Sequence, residues 1–184
     1  MRGGAGLSLA SFEDAFAHAL FAAPGEADAA VARIRPAKSL AEAAKADLVI
    51  EAATEKVDLK LRIFAELDSV VKPDAILASN TSSISITRLA AGTKRPAQVI
   101  GMHFFNPVPL MALVELINGL QTSAATYAAV EEMARSIGKS PIKVKNSPGF
   151  VVNRMLCPMI NEAVFVLGEG LATAAEIDEA MKLG

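Results

Sequence analysis

Two residues of this sequence could form a proton acceptor and the carboxylate that orients it. His103 ends one apolar run, and Glu115 lies inside the next, between Val114 and Leu116. A carboxylate among apolar residues is costly unless it is paired, and a histidine on a neighbouring strand would pair it while the carboxylate fixes the tautomer of the ring. We therefore expect the two side chains to lie within hydrogen-bond reach. The residues alone leave two alternatives open: a structural histidine at a strand end, and an outward-facing carboxylate on an edge strand.

Two polar segments could bring further groups to the same place. Residues 80–83 (Asn-Thr-Ser-Ser) follow a predicted strand and precede a helix, so they could present amides, hydroxyls and backbone N–H groups to a ligand. Asn153 and Arg154 come near the start of a long apolar helix. Ordinary helix capping and a solvated first turn are the alternatives for these segments. We expect Ser82, His103 and Asn153 to meet in one cleft.

The elements that must position these residues alternate between strands and helices. Compact apolar runs predict strands over 46–52, 75–78, 98–104, 113–117 and 141–145. Apolar residues at three- and four-residue spacing, caps and glycine stops predict helices over 57–71, 86–91 and 122–137. This alternation predicts an α/β fold with a partial Rossmann-type, mostly parallel sheet.

The character of the chain changes after 146–149 (Asn-Ser-Pro-Gly). A long apolar helix is predicted over 150–167, and a capping box at Thr173 and Glu176 opens another. The sequence therefore predicts two domains, a truncated α/β domain over 1–147 and, over 148–184, the first helices of an all-α C-terminal domain.

Composition excludes several classes of protein. The net charge of −2 leaves no basic field for nucleic acid or an anionic membrane, and no apolar run reaches the roughly 20 residues that span a bilayer. Cys157 is the single cysteine, so an intramolecular disulfide is impossible and a reducing, cytoplasmic location fits. We expect Cys157 to be a buried, inert thiol.

Four motifs in register resemble one family. They are 79–83 (SNTSS), 101–109 (GMHFFNPVP), 113–115 (LVE) and 148–154 (PGFVVNR). From about Arg33 to Gly184 the chain resembles the 3-hydroxyacyl-CoA dehydrogenases, most closely the short bacterial members that act on 3-hydroxybutyryl-CoA. Several motifs in order are far more specific than one glycine pattern.

The resemblance implies oxidation of L-3-hydroxyacyl-CoA to 3-ketoacyl-CoA with NAD as cofactor. It implies that His103 is the base and Glu115 its paired carboxylate. Ser82 would contact substrate and cofactor, and Asn153 would hold the substrate oxygen. Residues implied to line the NAD site are Glu55, Lys60, Asn80, Ser82 and Asn106. No metal is implied. The implied partners are the acyl-CoA substrate and, for full-length members, a second copy in a homodimer.

The sequence departs from the family at both ends. The family opens with a strand and a Gly-rich turn that binds the pyrophosphate, and residues 3–6 (Gly-Gly-Ala-Gly) do not fit that turn. We therefore expect a fragment that is a weak or inactive dehydrogenase by itself. One alternative is a non-catalytic remnant that binds acyl-CoA or a partner subunit. Another is a different nucleotide-linked dehydrogenase, which would leave the register of His103, Glu115 and Asn153 unexplained.

Overall fold

A computed structural model describes residues 28, 29 and 31–184 of the chain. Residues 3–6, which were expected not to form a pyrophosphate-binding Gly-rich turn, lie outside the described part of the chain. The described strands are β1 (Leu48–Glu51), β2 (Ile76–Ser79), β3 (Val99–Phe104), β4 (Leu113–Asn118) and β5 (Ser140–Lys145). The helices are α1 (Val57–Val70), α2 (Ile86–Ala91), α3 (Ala124–Ser136), α4 (Val152–Gly168) and α5 (Ala174–Leu183), with short 3₁₀ helices at Leu40–Lys45 and Pro96–Gln98.

The five strands form one sheet in the order β1-β2-β3-β4-β5. Strands β1, β2 and β3 run parallel, β4 runs antiparallel to β3, and β5 is parallel to β4. The predicted α/β fold with a mostly parallel sheet is confirmed. The one antiparallel pair places the carboxyl end of β3 beside the start of β4, and there His103 lies opposite Glu115.

Buried apolar side chains cover both faces of the sheet. One cluster packs against α1 and α2, and it includes Phe64, Leu67, Leu77, Ile86, Leu89, Val99, Ile117 and Phe150. The other packs against α3, and it includes Ala78, Ile100, Met102, Val114, Leu116, Val130 and Ala134. Neighbouring strand residues fall into different clusters because successive side chains of a strand point to opposite faces.

Helix α2 approaches the sheet closely because a glycine lies beneath it. A Cβ atom at Gly101 would lie 2.8 Å from Ile117 Cβ and 2.9 Å from Ile86 Cγ1, so a larger residue does not fit without movement. This contact sets the loop before α2, which carries Ser82, against the end of β3.

Helices α4 and α5 contain no buried residue. Their apolar side chains include Met155, which is 70% exposed, and Val164, which is 62% exposed. Cys157 is exposed as well, so the expectation of a buried thiol was wrong. The physical reason is that no described element packs on that face of α4. Among the described residues, no helix is both long enough and apolar enough to cross a lipid bilayer.

Candidate active site

His103 and Glu115 form a buried pair across the antiparallel strands. Nδ1 of His103 lies 2.8 Å from Oε2 of Glu115, and the side chains are 6% and 0% exposed. The predicted hydrogen bond between them is confirmed. A carboxylate can only accept, so Nδ1 carries the proton and Nε2 is left as an acceptor. The pairing therefore selects the tautomer in which Nε2 can take a proton.

The second oxygen of Glu115 is used by the C-terminal helix. Oε1 accepts hydrogen bonds from the backbone N–H groups of Val151, at 2.9 Å, and Val152, at 3.1 Å. These groups lie at the N-terminus of α4, where backbone amides are unsatisfied and a negative charge is favoured. The buried charge of Glu115 is thus stabilised on both oxygens without solvent. Sequence reasoning missed this contact, because it considered only the histidine as a partner.

The chain enters α4 through two residues with left-handed backbone geometry. Gly149 has a φ of 73° and Phe150 has a φ of 51°. Glycine adopts such values easily, whereas a residue with a side chain does so at a cost. Phe150 is nevertheless held in place, because its side chain is only 3% exposed and belongs to the core cluster below α2. This turn aims the first amides of α4 at Glu115.

Ser82 lies on the other side of the histidine ring. Its Oγ is 3.1 Å from Nε2 of His103, within hydrogen-bond distance. Because Nδ1 holds the ring proton, the serine hydroxyl donates to Nε2 in this arrangement. Ser82, His103 and Glu115 therefore form one continuous hydrogen-bonded series that starts in the loop after β2 and ends at α4.

Aromatic rings flank the histidine. The ring centroid of Phe105 lies 4.7 Å from that of His103, and Phe150 approaches edge-on at 5.6 Å. These apolar surfaces restrict water around the imidazole, which strengthens its interaction with the carboxylate.

The remaining predicted site residues have different surroundings. Oδ1 of Asn80 accepts from the backbone N–H of Phe104 at 2.8 Å, which joins the ends of β2 and β3. Asn106 is exposed after β3, and Asn153 is half-buried in the first turn of α4. Within the described part of the chain, no side-chain hydrogen bond of Asn106 or Asn153 is formed. The structure thus joins Ser82 to His103 but does not bond Asn153 to either of them.

Two acidic residues surround the loop that was predicted to line a cofactor site. Oε2 of Glu55 accepts from Oγ1 of Thr81 at 2.7 Å, and its Oε1 lies 3.4 Å from the backbone nitrogen of Ser82. Lys60 is fully buried, and its Nζ lies 2.8 Å from Oε1 of Glu51. Glu51 was missed from the sequence. A signal for it existed, since an acidic residue ends the apolar strand β1 as His103 nearly ends β3.

Comparison with known proteins assigns the chain to a family. Residues 8–147 match the description "3-hydroxyacyl-CoA dehydrogenase, NAD binding domain", and residues 149–184 match "3-hydroxyacyl-CoA dehydrogenase, C-terminal domain". The chain belongs to the 3-hydroxyacyl-CoA dehydrogenase family. The match begins at residue 8, so the similarity extends further toward the N-terminus than the expected start near Arg33. The short motifs that carried the expectation all lie after residue 78, and they could not reveal this earlier similarity.

Individual members of the family are similar over most of this chain. A 3-hydroxybutyryl-CoA dehydrogenase of Clostridioides difficile is 59% identical over 138 residues, which are 75% of this chain and 49% of the relative. Another from Bradyrhizobium diazoefficiens is 55% identical over 84% of this chain and 53% of its own length. The crystal structure of (S)-3-hydroxybutyryl-CoA dehydrogenase from Ralstonia eutropha superposes with a TM-score of 0.88 at 59% identity, over 95% of this chain and 62% of that one. The chain spans about half the length of the curated relatives.

Proposed function

We propose that this chain carries the NAD-binding and proton-transfer site of an oxidoreductase that converts L-3-hydroxyacyl-CoA to 3-ketoacyl-CoA. The observation that carries the proposal is the series Ser82–His103–Glu115, which leaves Nε2 of the histidine as a proton acceptor. The names of the similar dehydrogenases support 3-hydroxybutyryl-CoA as the substrate. Acyl-CoA is therefore the proposed small-molecule partner.

The buried pair supplies what the removal of a hydroxyl proton requires. A bound NAD would supply the acceptor for the hydride that leaves the carbon bearing the hydroxyl. We assign the proton of that hydroxyl to Nε2 of His103, with Glu115 stabilising the imidazolium that results and keeping the ring in place. The hydroxyl of Ser82 reaches the same nitrogen, so it would orient the substrate oxygen there. Asn153 is proposed to hold that oxygen from the first turn of α4.

The residues at the carboxyl ends of the parallel strands fit a dinucleotide. Ligands of open α/β sheets bind at this edge, and there the side chain of Glu55 is 43% exposed. Because Oδ1 of Asn80 is used by Phe104, its amide N–H groups remain as donors. We propose that Glu55, Asn80, Ser82 and Asn106 line the cofactor site. Lys60 was also predicted to line this site, but its side chain is fully buried and bonded to Glu51 and Ala53, so it is not among the residues proposed to touch the cofactor.

Three further parts of the assignment are proposals as well. A division into an NAD-binding domain at 1–147 and a helical domain from 148 is supported by the change from sheet to helices after Asn146. A cytoplasmic location is supported by the single cysteine. The homodimer implied by the resemblance stays a prediction.

The test is a turnover measurement on the purified chain at high enzyme concentration. NADH formation from NAD and (S)-3-hydroxybutyryl-CoA is compared for the wild type and His103→Ala, with Arg135→Ala on the exposed face of α3 as the matched control. We expect His103→Ala to lower the rate by about 10²- to 10⁴-fold, far more than it weakens NAD binding, because the side chain is assigned to proton transfer.

Binding is measured beside turnover, by calorimetry with NAD and with the acyl-CoA separately. Equal rates in the wild type and His103→Ala, with both ligands bound, would refute the assignment of the base. Binding of acyl-CoA without any turnover by the wild type would instead support the non-catalytic alternative.

A further inference from the structure

A ring of mostly buried polar groups lies next to the loop that carries Ser82. Nζ of Lys60 donates to both oxygens of Glu51, at 2.8 and 2.9 Å, and to the carbonyl of Ala53 at 3.0 Å. All three N–H groups of the ammonium are therefore used within the protein. The side chains of Lys60 and Glu51 are 0% and 3% exposed.

The ring continues from β1 to the loop after β2. Oε2 of Glu51 accepts from Oγ of Ser79 at 2.7 Å, and the same Oγ accepts from the backbone N–H of Thr81 at 3.3 Å. Oγ1 of Thr81 then donates to Glu55 at 2.7 Å. The other oxygen of Glu55, whose side chain is 43% exposed, lies 3.8 Å from Nζ of Lys60, so an electrostatic contact rather than a hydrogen bond completes the ring.

Ser82 is bound to this ring on one side and to the histidine on the other. Its backbone nitrogen lies 3.4 Å from Glu55, and its Oγ lies 3.1 Å from Nε2 of His103. Thr81 also accepts from the backbone N–H of Ile84 at 2.9 Å, which fixes the far end of the loop. The position of the serine hydroxyl is therefore set by bonds that lead back to Lys60.

The energetics of a buried ion pair favour a positioning role over a purely stabilising one. Two charges lose their hydration on burial, and their mutual attraction repays this only in part, so an apolar pair of similar volume is often as stable. Charged hydrogen bonds also fix the geometry of the groups that they join. In this chain they fix the groups that hold the loop of Ser82.

We propose that Glu51, Lys60 and Thr81 are positioning residues that hold the hydroxyl of Ser82 against Nε2 of His103. They act through Glu55 and the loop, and none is assigned contact with the reacting atoms. The inference deepens the proposed function and rests on it for its catalytic meaning. Its geometric content is independent of turnover.

The first experiment compares Thr81→Val with Thr81→Ser. Valine keeps the shape of the side chain but removes its hydroxyl, whereas serine keeps the hydroxyl. The readout is the ¹⁵N resonance of the His103 ring and its titration with pH, which is accessible because the chain has only two histidines. We expect Thr81→Val to shift the Nε2 signal and to change its dependence on pH. We expect Thr81→Ser to show the wild-type signal and the wild-type pH dependence.

Kinetics of the same variants separate positioning from binding. We expect Thr81→Val to lower kcat by about tenfold, the effect of about one lost hydrogen bond, with the KM for acyl-CoA unchanged, and Thr81→Ser to recover most of it. An unchanged Nε2 signal in a folded Thr81→Val would overturn the proposal.

A second variant covers the case in which Thr81→Val does not fold. The double substitution Glu51→Gln with Lys60→Met removes both charges without leaving one unpaired. Asp68→Asn with Arg95→Met is its matched control, because these residues form another largely buried ion pair of α1. We expect the first double variant to fold and to shift the His103 signal, and the control double variant to leave that signal unchanged.

The outcomes distinguish this proposal from the proposed function. A folded variant with Glu51→Gln and Lys60→Met but the wild-type His103 signal would show that the ring is structural only. If the variants shift the His103 signal but the wild-type chain shows no turnover, the positioning role is supported and only the proposed dehydrogenase reaction is contradicted.

Discussion

The α/β part of the chain and its two C-terminal helices are held in different ways. Strands β2, β3 and β4 and helices α1, α2 and α3 bury apolar side chains in two clusters on the faces of the sheet. Helices α4 and α5 bury none, although α4 is more apolar than α1 or α3. The start of α4 is joined to the sheet by hydrogen bonds from the backbone N–H groups of Val151 and Val152 to Glu115. The comparison teaches that hydrogen bonds to Glu115 and the buried ring of Phe150 fix where α4 begins, while the rest of α4 buries no side chain.

The largest effect is expected where the two regions meet. Glu115→Ala would leave the N–H groups of His103, Val151 and Val152 without their acceptor. We expect unfolding in urea to show a loss of about 3 to 5 kcal/mol, because each of the three donors left without an acceptor costs about 1 to 3 kcal/mol. Glu131→Ala on α3 is the control, since its carboxylate forms a surface pair with Arg135. A loss below about 1 kcal/mol would show that the two regions are joined by something else.

A matched pair of leucines tests the comparison directly. Leu89 belongs to α2 and is fully buried, whereas Leu171 lies between α4 and α5 and is 75% exposed. We expect Leu89→Ala to cost about 2 to 5 kcal/mol and Leu171→Ala to stay within about 0.5 kcal/mol. The measurement is the denaturation midpoint of each variant. Similar losses at the two positions would mean that the surface around Leu171 is covered in solution.

The capping box of α5 should act locally. Oγ1 of Thr173 accepts from the backbone N–H of Glu176 at 3.3 Å, and the Glu176 carboxylate accepts from the backbone N–H of Thr173 at 2.8 Å. Thr173→Ala should cost about 1 kcal/mol. Because α5 buries no residue, we expect this loss of stability to appear as faster hydrogen exchange of the α5 amides. The exchange of the sheet amides should not change. Faster exchange of the sheet amides as well would indicate that α5 and the sheet unfold together.

The smallest effect concerns acid stability within the α/β part. Burial raises the pKa of Asp68, but the backbone N–H of Lys94 and the guanidinium of Arg95 outweigh it, so the pKa is below its ordinary value. A lowered pKa contributes stability above the ordinary aspartate value of about 3.9, and this is lost as the pH falls through the folded value. We expect Asp68→Asn to flatten the dependence of the unfolding free energy on pH below about 4. An unchanged slope would contradict the assignment.

Most elements of the fold could be predicted from apolar periodicity. The helix predicted over 86–91 is α2 residue for residue, and the strand predicted over 113–117 is β4 with one residue more. The cost of an unpaired buried carboxylate suggested the pairing of His103 with Glu115, but the residues alone left two alternatives open. The family resemblance was needed to choose the pairing that the structure confirms.

Contacts that depend on three-dimensional proximity could not be predicted in this way. Lys60 lies on the buried face of α1 with Phe64 and Leu67, yet periodicity gives no reason for a lysine there. Its partner Glu51 belongs to another element, and nothing in their spacing signals the pair. The prediction of a buried Cys157 was wrong for the opposite reason. The apolar sequence of α4 indicates burial, but it does not show which element would cover the helix.

The bonds between Glu115 and the first turn of α4 also constrain how the molecule can bend. Val151 and Val152 move with the sheet as long as the carboxylate holds their amides. A pivot at Ser147 or Pro148 would have to break both contacts and expose a charge that is 0% accessible. Any swing of the helical region that preserves the site must therefore take place beyond Val152, within α4 or after it.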